Sequence, residues 1–481
     1  MEAIKDHVSS GHVMLLPDKN EAKFGKLLHQ FIFTFKNVSE SELLHSKIPR
    51  DEHESKFLHR GMIFVSIFIQ IALRYISKPL KIIQFFFEGI LNLGAPRDSE
   101  KYYSAVGHSD SRLDLDKKLK RGHPNYYPAL AMMASKLSYE NKAVIKKAVT
   151  KHWKMEFVES YNFYNEFQNK FTTQAFICRE KNLDGDIIVV AFRGTSMFTA
   201  DDWSTDFDFS WIEFDGIGKA HMGFMIALGL NKYSRKDEDY LGDFSGSWPK
   251  NVNYNHEKPL AYYEIRDKLK EMLANSNNNT RFIVTGHSLG GALAILFPSI
   301  LALHNEVDLL ERLEAIYTFG QPRVGDAQFG NFVKDKLRKF NIKYYRIVYN
   351  NDLVPEVPLD NTMMTFKHFG KFIHFNCFYH AKIEDEEKEQ DVNTVLWLIK
   401  WLISTLVNFV VARLSAIYEF ERGFFIGFTR GPDYREGWAL TLIRLVGIVV
   451  PSIVNHVPQD YVNSTRLASK DVFEHSPDLP Y

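Results

Sequence analysis

The chain has 481 residues, 45% of them hydrophobic and 14% aromatic, enough for one large domain with accessory segments or for two domains. Lys plus Arg and Asp plus Glu balance at 59 each, so no overall basic surface points to a nucleic-acid partner, and any attraction to a membrane must be local and apolar. The two cysteines, Cys178 and Cys377, make neither a zinc spacing nor a disulfide framework and favour a reducing, cytosol-facing compartment.

Residues 1–26 are polar and mixed in charge, without the apolar core of a secretory signal. The sequons at Asn37, Asn278 and Asn463 are therefore expected to stay unmodified. Residues 31–35 fit a strand or a helix face equally well. The first strongly apolar run, 61–73, is too short to cross a bilayer as a helix at about 1.5 Å per residue. Arg74, Lys78, Pro79 and Lys81 break it from a second apolar run, 82–93. Two short apolar helices around a basic, proline-containing break suit insertion into one leaflet or a lipid surface, with burial on the main domain as the alternative.

Gly107-His108-Ser109-Asp110-Ser111 imitates a nucleophile turn, but it has Ser where a second glycine is needed and follows no apolar strand, so a structural role is expected. Residues 116–123 read as a solvated face, 127–137 as a helix and 175–178 as a short strand. Residues 186–192 form a buried-strand signal ending in Arg193-Gly194-Thr195-Ser196, then an acidic-aromatic segment from Asp201 to Trp211. An open α/β sheet places its site at such strand ends. The Thr195 N–H and hydroxyl suit an oxyanion; an ordinary turn and N-cap is the alternative.

An amphipathic helix over 262–273 and a polar loop over 275–280 precede a strand at 281–285 and the pentapeptide Gly286-His287-Ser288-Leu289-Gly290. G-x-S-x-G is a weak signal alone, arising by chance about once in 3,000 windows. The apolar strand before it and the small-residue helix start after it, Gly291 to Ala294, raise its weight. A nucleophilic serine on a tight strand-to-helix turn needs small residues two before and two after it, and the helix aims its first N–H groups at the reaction centre.

A strand at 315–319, a turn at 320–326, a helix at 328–337 and a strand at 344–349 follow. This alternation predicts an α/β fold: a mostly parallel sheet with helices on both faces. The acidic stretch 384–389 marks a solvated linker. Residues 394–412 hold one charge, Lys400, and are just long enough to span a membrane, but Lys400, Ser404 and Asn408 share one helix side. That pattern favours a helix lying at an interface or over a hydrophobic site. With 424–426 and 438–450, residues 391–451 read as a helical apolar insertion. The chain is thus divided into an N-terminal region, 1–95, a catalytic domain, 96–390, the insertion, and a C-terminal segment, 452–481, that completes the catalytic domain.

A serine hydroxyl needs a general base within hydrogen-bond reach, and that base needs an orienting carboxylate. In α/β hydrolases these follow the serine in the order acid, then histidine. Asp352 stands after a strand; Asp326, in a turn, suits a helix cap, and Asp360 lies past two prolines. Of His368, His374, His380, His456 and His475, the first three alternate with aromatics and suit structural roles, and His475 sits in a polar tail. His456 lies in a loop after an apolar helix and leads without excluding the others.

Phe192-Arg-Gly-Thr-Ser196, Ala220-His-Met-Gly-Phe224, the stretch from Val284 to Leu293, Phe319-Gly-Gln-Pro-Arg-Val-Gly325 and Asp352-Leu-Val-Pro355 resemble, in order, the motifs of the class 3 (fungal-type) lipases. The segments around Gly107 to Arg112, Phe366 to Gly370 and His456 to Leu467 resemble the plant oil-body lipases in particular. The resemblance implies an α/β-hydrolase fold with Ser288 as nucleophile, Asp352 as orienting acid and His456 as base. It also implies Thr195 and the Leu289 N–H as the oxyanion hole, and residues 198–206 as the lid region. The family's histidine stands in an Asp-His-x-x-Tyr context, whereas here Asn455 precedes His456 and the tyrosine is Tyr461. The implied activity is hydrolysis of triacylglycerol through an acyl-enzyme, at a lipid droplet or the cytosolic face of the endoplasmic reticulum, with no metal or organic cofactor. Phospholipid or galactolipid hydrolysis by the same triad, and a catalytically inactive scaffold on a membrane surface, are the alternatives.

Overall fold

The structure, a computed structural model, describes residues 88–165, 170–194, 211–214, 216–229, 250–252, 254–255, 257–358, 366–384 and 394–474. The segment 31–35, the apolar run 61–73, the first half of 82–93 (82–87), Thr195, the lid region 198–206, Asp360 and His475 lie outside them, as do the side chains of Lys400, Ser404 and Asn408.

Four strands carry the centre of the fold because nearly all of their residues are buried on both sides. In β3 (Ile187–Phe192) every residue is buried, as a strand sandwiched between two helical layers requires. The central sheet, eight strands among the described residues, runs β1 (Glu156–Asn165), β2 (Lys170–Glu180), β3, β4 (Arg281–His287), β5 (Leu313–Phe319), β6 (Lys343–Tyr349), β7 (Lys371–Phe375) and β8 (Ala381–Glu384), in spatial as well as chain order. β3 to β7 are parallel; β1, β2 and β8 add antiparallel edges. β1 escaped the sequence reading because an edge strand keeps much of its surface solvated, and Glu156 to Asn165 shows no apolar run.

Alternate strand residues feed two cores. Ile188, Val190 and Phe192 meet α2 (Ala261–Ala274), α3 (Leu289–Leu303) and α4 (Ala327–Lys339) on one side. Val189, Ala191 and Ile283 meet α1 (Tyr126–Leu137) and the later helix Pro458–Leu467 on the other. Asp326 caps α4, accepting a hydrogen bond from Phe329 N at 2.8 Å. A small second sheet of Trp211–Phe214, Gly218–His221, Gly325–Asp326 and Phe366–Lys367 holds the 320–326 turn in place. Cys178 and Cys377 are free.

The Gly107-His-Ser-Asp-Ser111 segment is a knot and not a nucleophile turn. Ser109 donates to Val106 O at 2.7 Å within a short helix, and Asp110 pairs with Arg112 at 2.7 Å and Lys136 at 3.4 Å. Arg112 also donates to Asn463 at 2.8 Å, tying this segment to the chain that follows His456.

Beyond the sheet, α5 (Thr394–Thr429) and α6 (Trp438–Gly447) precede α7 (Pro458–Leu467). Where its side chains are described, α5 is inverted relative to an ordinary surface helix. Ser415 and Glu419 are buried against the protein, while Val410, Leu414, Ile417, Phe424 and Phe428 are exposed. In α6 and the turn after it, Trp438, Leu442, Leu445, Val446 and Val449 are likewise exposed, and Arg444 is 1% exposed. No helix among the described residues is long and apolar enough to cross a membrane.

Candidate active site

Ser288 joins β4 to α3 with φ +61° and ψ −133°, a left-handed conformation that costs a non-glycine residue about 1–3 kcal/mol. The flanking glycines make that bend possible. A Cβ at Gly286 would overlap the Gly290 carbonyl, and one at Gly290 would overlap the Phe192 carbonyl. A Cβ at Gly194 would overlap the Tyr139 hydroxyl and the His287 carbonyl and stand 3.0 Å from Ser288 Cβ. The chain at Arg193-Gly194, after β3, therefore passes directly behind the serine, which requires Gly194 to lack a side chain. Leu289 opens α3, so its N–H belongs to the group of helix-end donors that point toward developing negative charge.

Asp352 follows β6 and His456 precedes α7, 104 residues later in the chain. His456 Nδ1 lies 2.7 Å from Asp352 Oδ2. Tyr461 donates its hydroxyl proton to the same oxygen at 2.5 Å, and Val354 N donates to Oδ1 at 2.9 Å. The Tyr461 oxygen accepts from Tyr349 N at 3.2 Å. Burial, reinforced by the Asp352 carboxylate, holds the Tyr461 phenol well above its ordinary pKa, so it stays a donor.

With Nδ1 turned to Asp352, the other ring nitrogen of His456, Nε2, is the one free to take a proton; it is buried and has no hydrogen-bond partner among the described residues. The imidazole sits over the serine turn. Ser288 N donates to Phe319 O at 2.8 Å, and a Cβ on the next residue, Gly320 (φ +56°), would stand 2.8 Å from Asp352 Oδ2 and 2.9 Å from His456 Nδ1. The rings of His287 and His456 are 4.5 Å apart. No hydrogen bond joins the Ser288 hydroxyl to His456 among the described contacts; such bonds commonly tighten only when substrate is bound. Ser288 and Asp352 are almost fully buried, and His456 is 7% exposed.

His287 accompanies the site without competing in it. Burial, and then the neighbouring His456, push its pKa well below the ordinary value. It therefore stays neutral beside His456 and adds no second positive charge, and its Nδ1 lies 2.9 Å from the Tyr139 hydroxyl.

The other histidine candidates stand apart. His368 Nε2 is 2.6 Å from Pro355 O, and His374 Nε2 is 2.8 Å from Asn350 O; both serve the backbone. Sequence reasoning did not single out Gly320. Its signal was present, since, like Gly194, it ends a buried parallel strand where the site must be.

A serine on a constrained strand-to-helix bend, beside a carboxylate-bound imidazole at the ends of neighbouring parallel strands, defines a serine ester hydrolase of the α/β type. The profile of the family described as Lipase (class 3) matches residues 189–362. The chain is 37% identical to the triacylglycerol lipase OBL1 of Nicotiana tabacum, over 85% of this chain and 83% of that one. It is also 37% identical to the triacylglycerol lipase OBL1 of Arabidopsis thaliana, over 85% of each. Phospholipase A1-IIbeta of Arabidopsis thaliana is 30% identical over a shorter stretch, 36% of this chain and 39% of that protein. The chain belongs to the class 3 lipase family.

Proposed function

We propose that the chain is a triacylglycerol lipase that works at a lipid surface through Ser288, His456 and Asp352. Ser288 attacks the ester carbonyl while His456 Nε2 takes its proton; the same nitrogen then returns that proton to the departing diacylglycerol alkoxide. Asp352 holds the imidazole tautomer, and Tyr461 holds Asp352. Thr195 and the Leu289 N–H bind the tetrahedral oxyanion, where one donor contributes about 10²–10³ in rate. Water, activated by His456, then releases the fatty acid from the acyl-enzyme.

The observation that carries this reading is the 2.7 Å Asp352–His456 contact, with the opposite imidazole nitrogen unpaired among the described residues, above the Ser288 bend. Triacylglycerol is favoured as substrate by the length of the match to the two triacylglycerol lipases, 85% of the chain, against 36% for the phospholipase. Phospholipid hydrolysis is the second reading, and side-by-side assay on triolein and phosphatidylcholine separates the two. The outward apolar faces of α5 and α6 favour a seat on a lipid droplet or the cytosolic face of the endoplasmic reticulum. In this reading residues 61–93 and the insertion 391–451 meet the lipid, and 96–390 with 452–481 form the catalytic domain.

The test is Ser288→Ala on emulsified triolein. A fall in turnover on the order of 10⁶ is expected, and activity within about tenfold of wild type overturns the assignment.

A further inference from the structure

We propose that Glu419, on the inner face of α5, is a positioning residue for the Asp352–His456 pair, which makes the helical insertion part of the catalytic centre. The proposal rests on the serine-hydrolase reading above.

Glu419 is almost fully buried and joins the two segments that carry the acid and the base. Its Oε1 accepts from the Tyr349 hydroxyl at 2.7 Å and from Asn350 Nδ2 at 2.9 Å. Oriented by its neighbours, the Asn455 amide donates to Glu419 Oε2 at 3.0 Å and accepts from Asn351 N at 3.2 Å. Tyr349, Asn350 and Asn351 lead directly into Asp352, and Asn455 immediately precedes His456. A single carboxylate from the insertion therefore sets the spacing of two segments about a hundred residues apart in the chain.

The surroundings are built to keep that carboxylate. Arg444 stands 3.7 Å from it and also binds Glu436 at 2.6 Å and Asp460 at 3.0 Å, the residue before Tyr461. Burial, with Asp460 adding to it, raises the Glu419 pKa, and Arg444 and Arg422 oppose the rise.

The same contact accounts for the departure from the Asp-His-x-x-Tyr pattern. An aspartate at 455 would set a second carboxylate against Glu419 at hydrogen-bonding distance, where two like charges cannot both stay ionised. An asparagine there donates instead. Asn455 and Glu419 thus form one complementary pair, with one half on the insertion and the other beside the base. Because α5 turns its opposite face outward with exposed apolar side chains, the helix that meets lipid is also the helix that spaces the acid and the base.

The test uses the full chain and three variants: Asn455→Asp, Glu419→Gln, and the two combined. Turnover and KM on a soluble p-nitrophenyl ester, the rate of fluorophosphonate labelling of Ser288, and the thermal midpoint are measured for each. Asn455→Asp is expected to lower kcat and labelling by at least about tenfold with KM nearly unchanged, since misplaced reacting groups cost rate before binding. The combined variant should recover most of the loss, because the amide that Glu419→Gln introduces donates to the new carboxylate; the swap reverses donor and acceptor and keeps the hydrogen bond. If Asn455→Asp does not fold, Glu419→Gln carries the test, with reduced kcat at constant KM expected. Unchanged kcat in the folded single variants, a lowered midpoint with turnover per labelled serine intact, or a combined variant no better than the worse single one overturns the proposal. Failure of the wild type to label at Ser288 overturns the serine-hydrolase reading, and this proposal with it.

Discussion

Gly320 carries a constraint that its position in a turn would not reveal. Its φ of +56° favours glycine, and its Cα faces the Asp352 carboxylate and the His456 ring at a distance that admits no methyl group. Gly320→Ala is expected to displace that pair and lower kcat by about 10²-fold, with the loss measured on a soluble ester and KM unchanged. Turnover within about twofold of wild type would mean that the imidazole tolerates the shift. His287 makes a complementary point. Its depressed pKa keeps the ring beside His456 neutral, so one imidazole can carry charge during turnover without a like-charged neighbour 4.5 Å away.

Elements in this chain are joined by buried charge as much as by apolar packing. Burial by itself raises the Asp110 carboxyl, but Arg112 and Lys136 outweigh it and hold the carboxyl well below the usual range. A carboxyl whose folded pKa lies below its unfolded value stabilises the fold above the unfolded pKa and loses that contribution as pH falls. Unfolding by urea should therefore show stability dropping as pH falls below about 5. Asp110→Asn should already be less stable at neutral pH by about 3–5 kcal/mol, because it strands two buried cations, and its stability should fall less steeply with acid. An identical acid slope in the two proteins would remove Asp110 from the account. The α5–α6 unit shows the same principle in reverse. Its polar side chains point inward, to Glu436, Arg444 and Asp460, and its apolar ones point out.

On the scale of the whole molecule, a sheet whose strands lie in chain order brings Gly194, Ser288, Gly320 and Asp352 to consecutive strand ends, β3 to β6, at one edge of the parallel core. The exposed apolar faces of α5 and α6 are the surface that the proposed seat on lipid would use. A large apolar side chain leaving water contributes about 1.5–3 kcal/mol, and each 1.4 kcal/mol is tenfold in affinity. Replacing Phe424, Phe428, Trp438 and Val449 together by Ser is thus expected to lower adsorption to a triolein emulsion by more than about tenfold, measured by flotation, while hydrolysis of a soluble ester stays within about twofold. Undiminished flotation would place the lipid contact elsewhere.

What the linear chain determined was the local chemistry. The strand before Ser288, the two glycines around it and the capping Asp326 were legible because each depends on residues a few positions away. The parallel α/β sheet was legible because buried strands alternate with amphipathic helices. The inner and outer faces of α5 were not legible: Ser415, Glu419 and the exposed phenylalanines share one helical period, and which side meets the protein depends on partners such as Asn350 and Asn455. β1 stayed hidden because its pairing with β2, not its composition, makes it a strand. The distance between Asp352 and His456, and the use of one buried carboxylate to set it, belonged to the tertiary structure alone. Hydrogen bonds across a hundred residues leave no periodic trace in sequence, and only the closed fold brings their ends within reach.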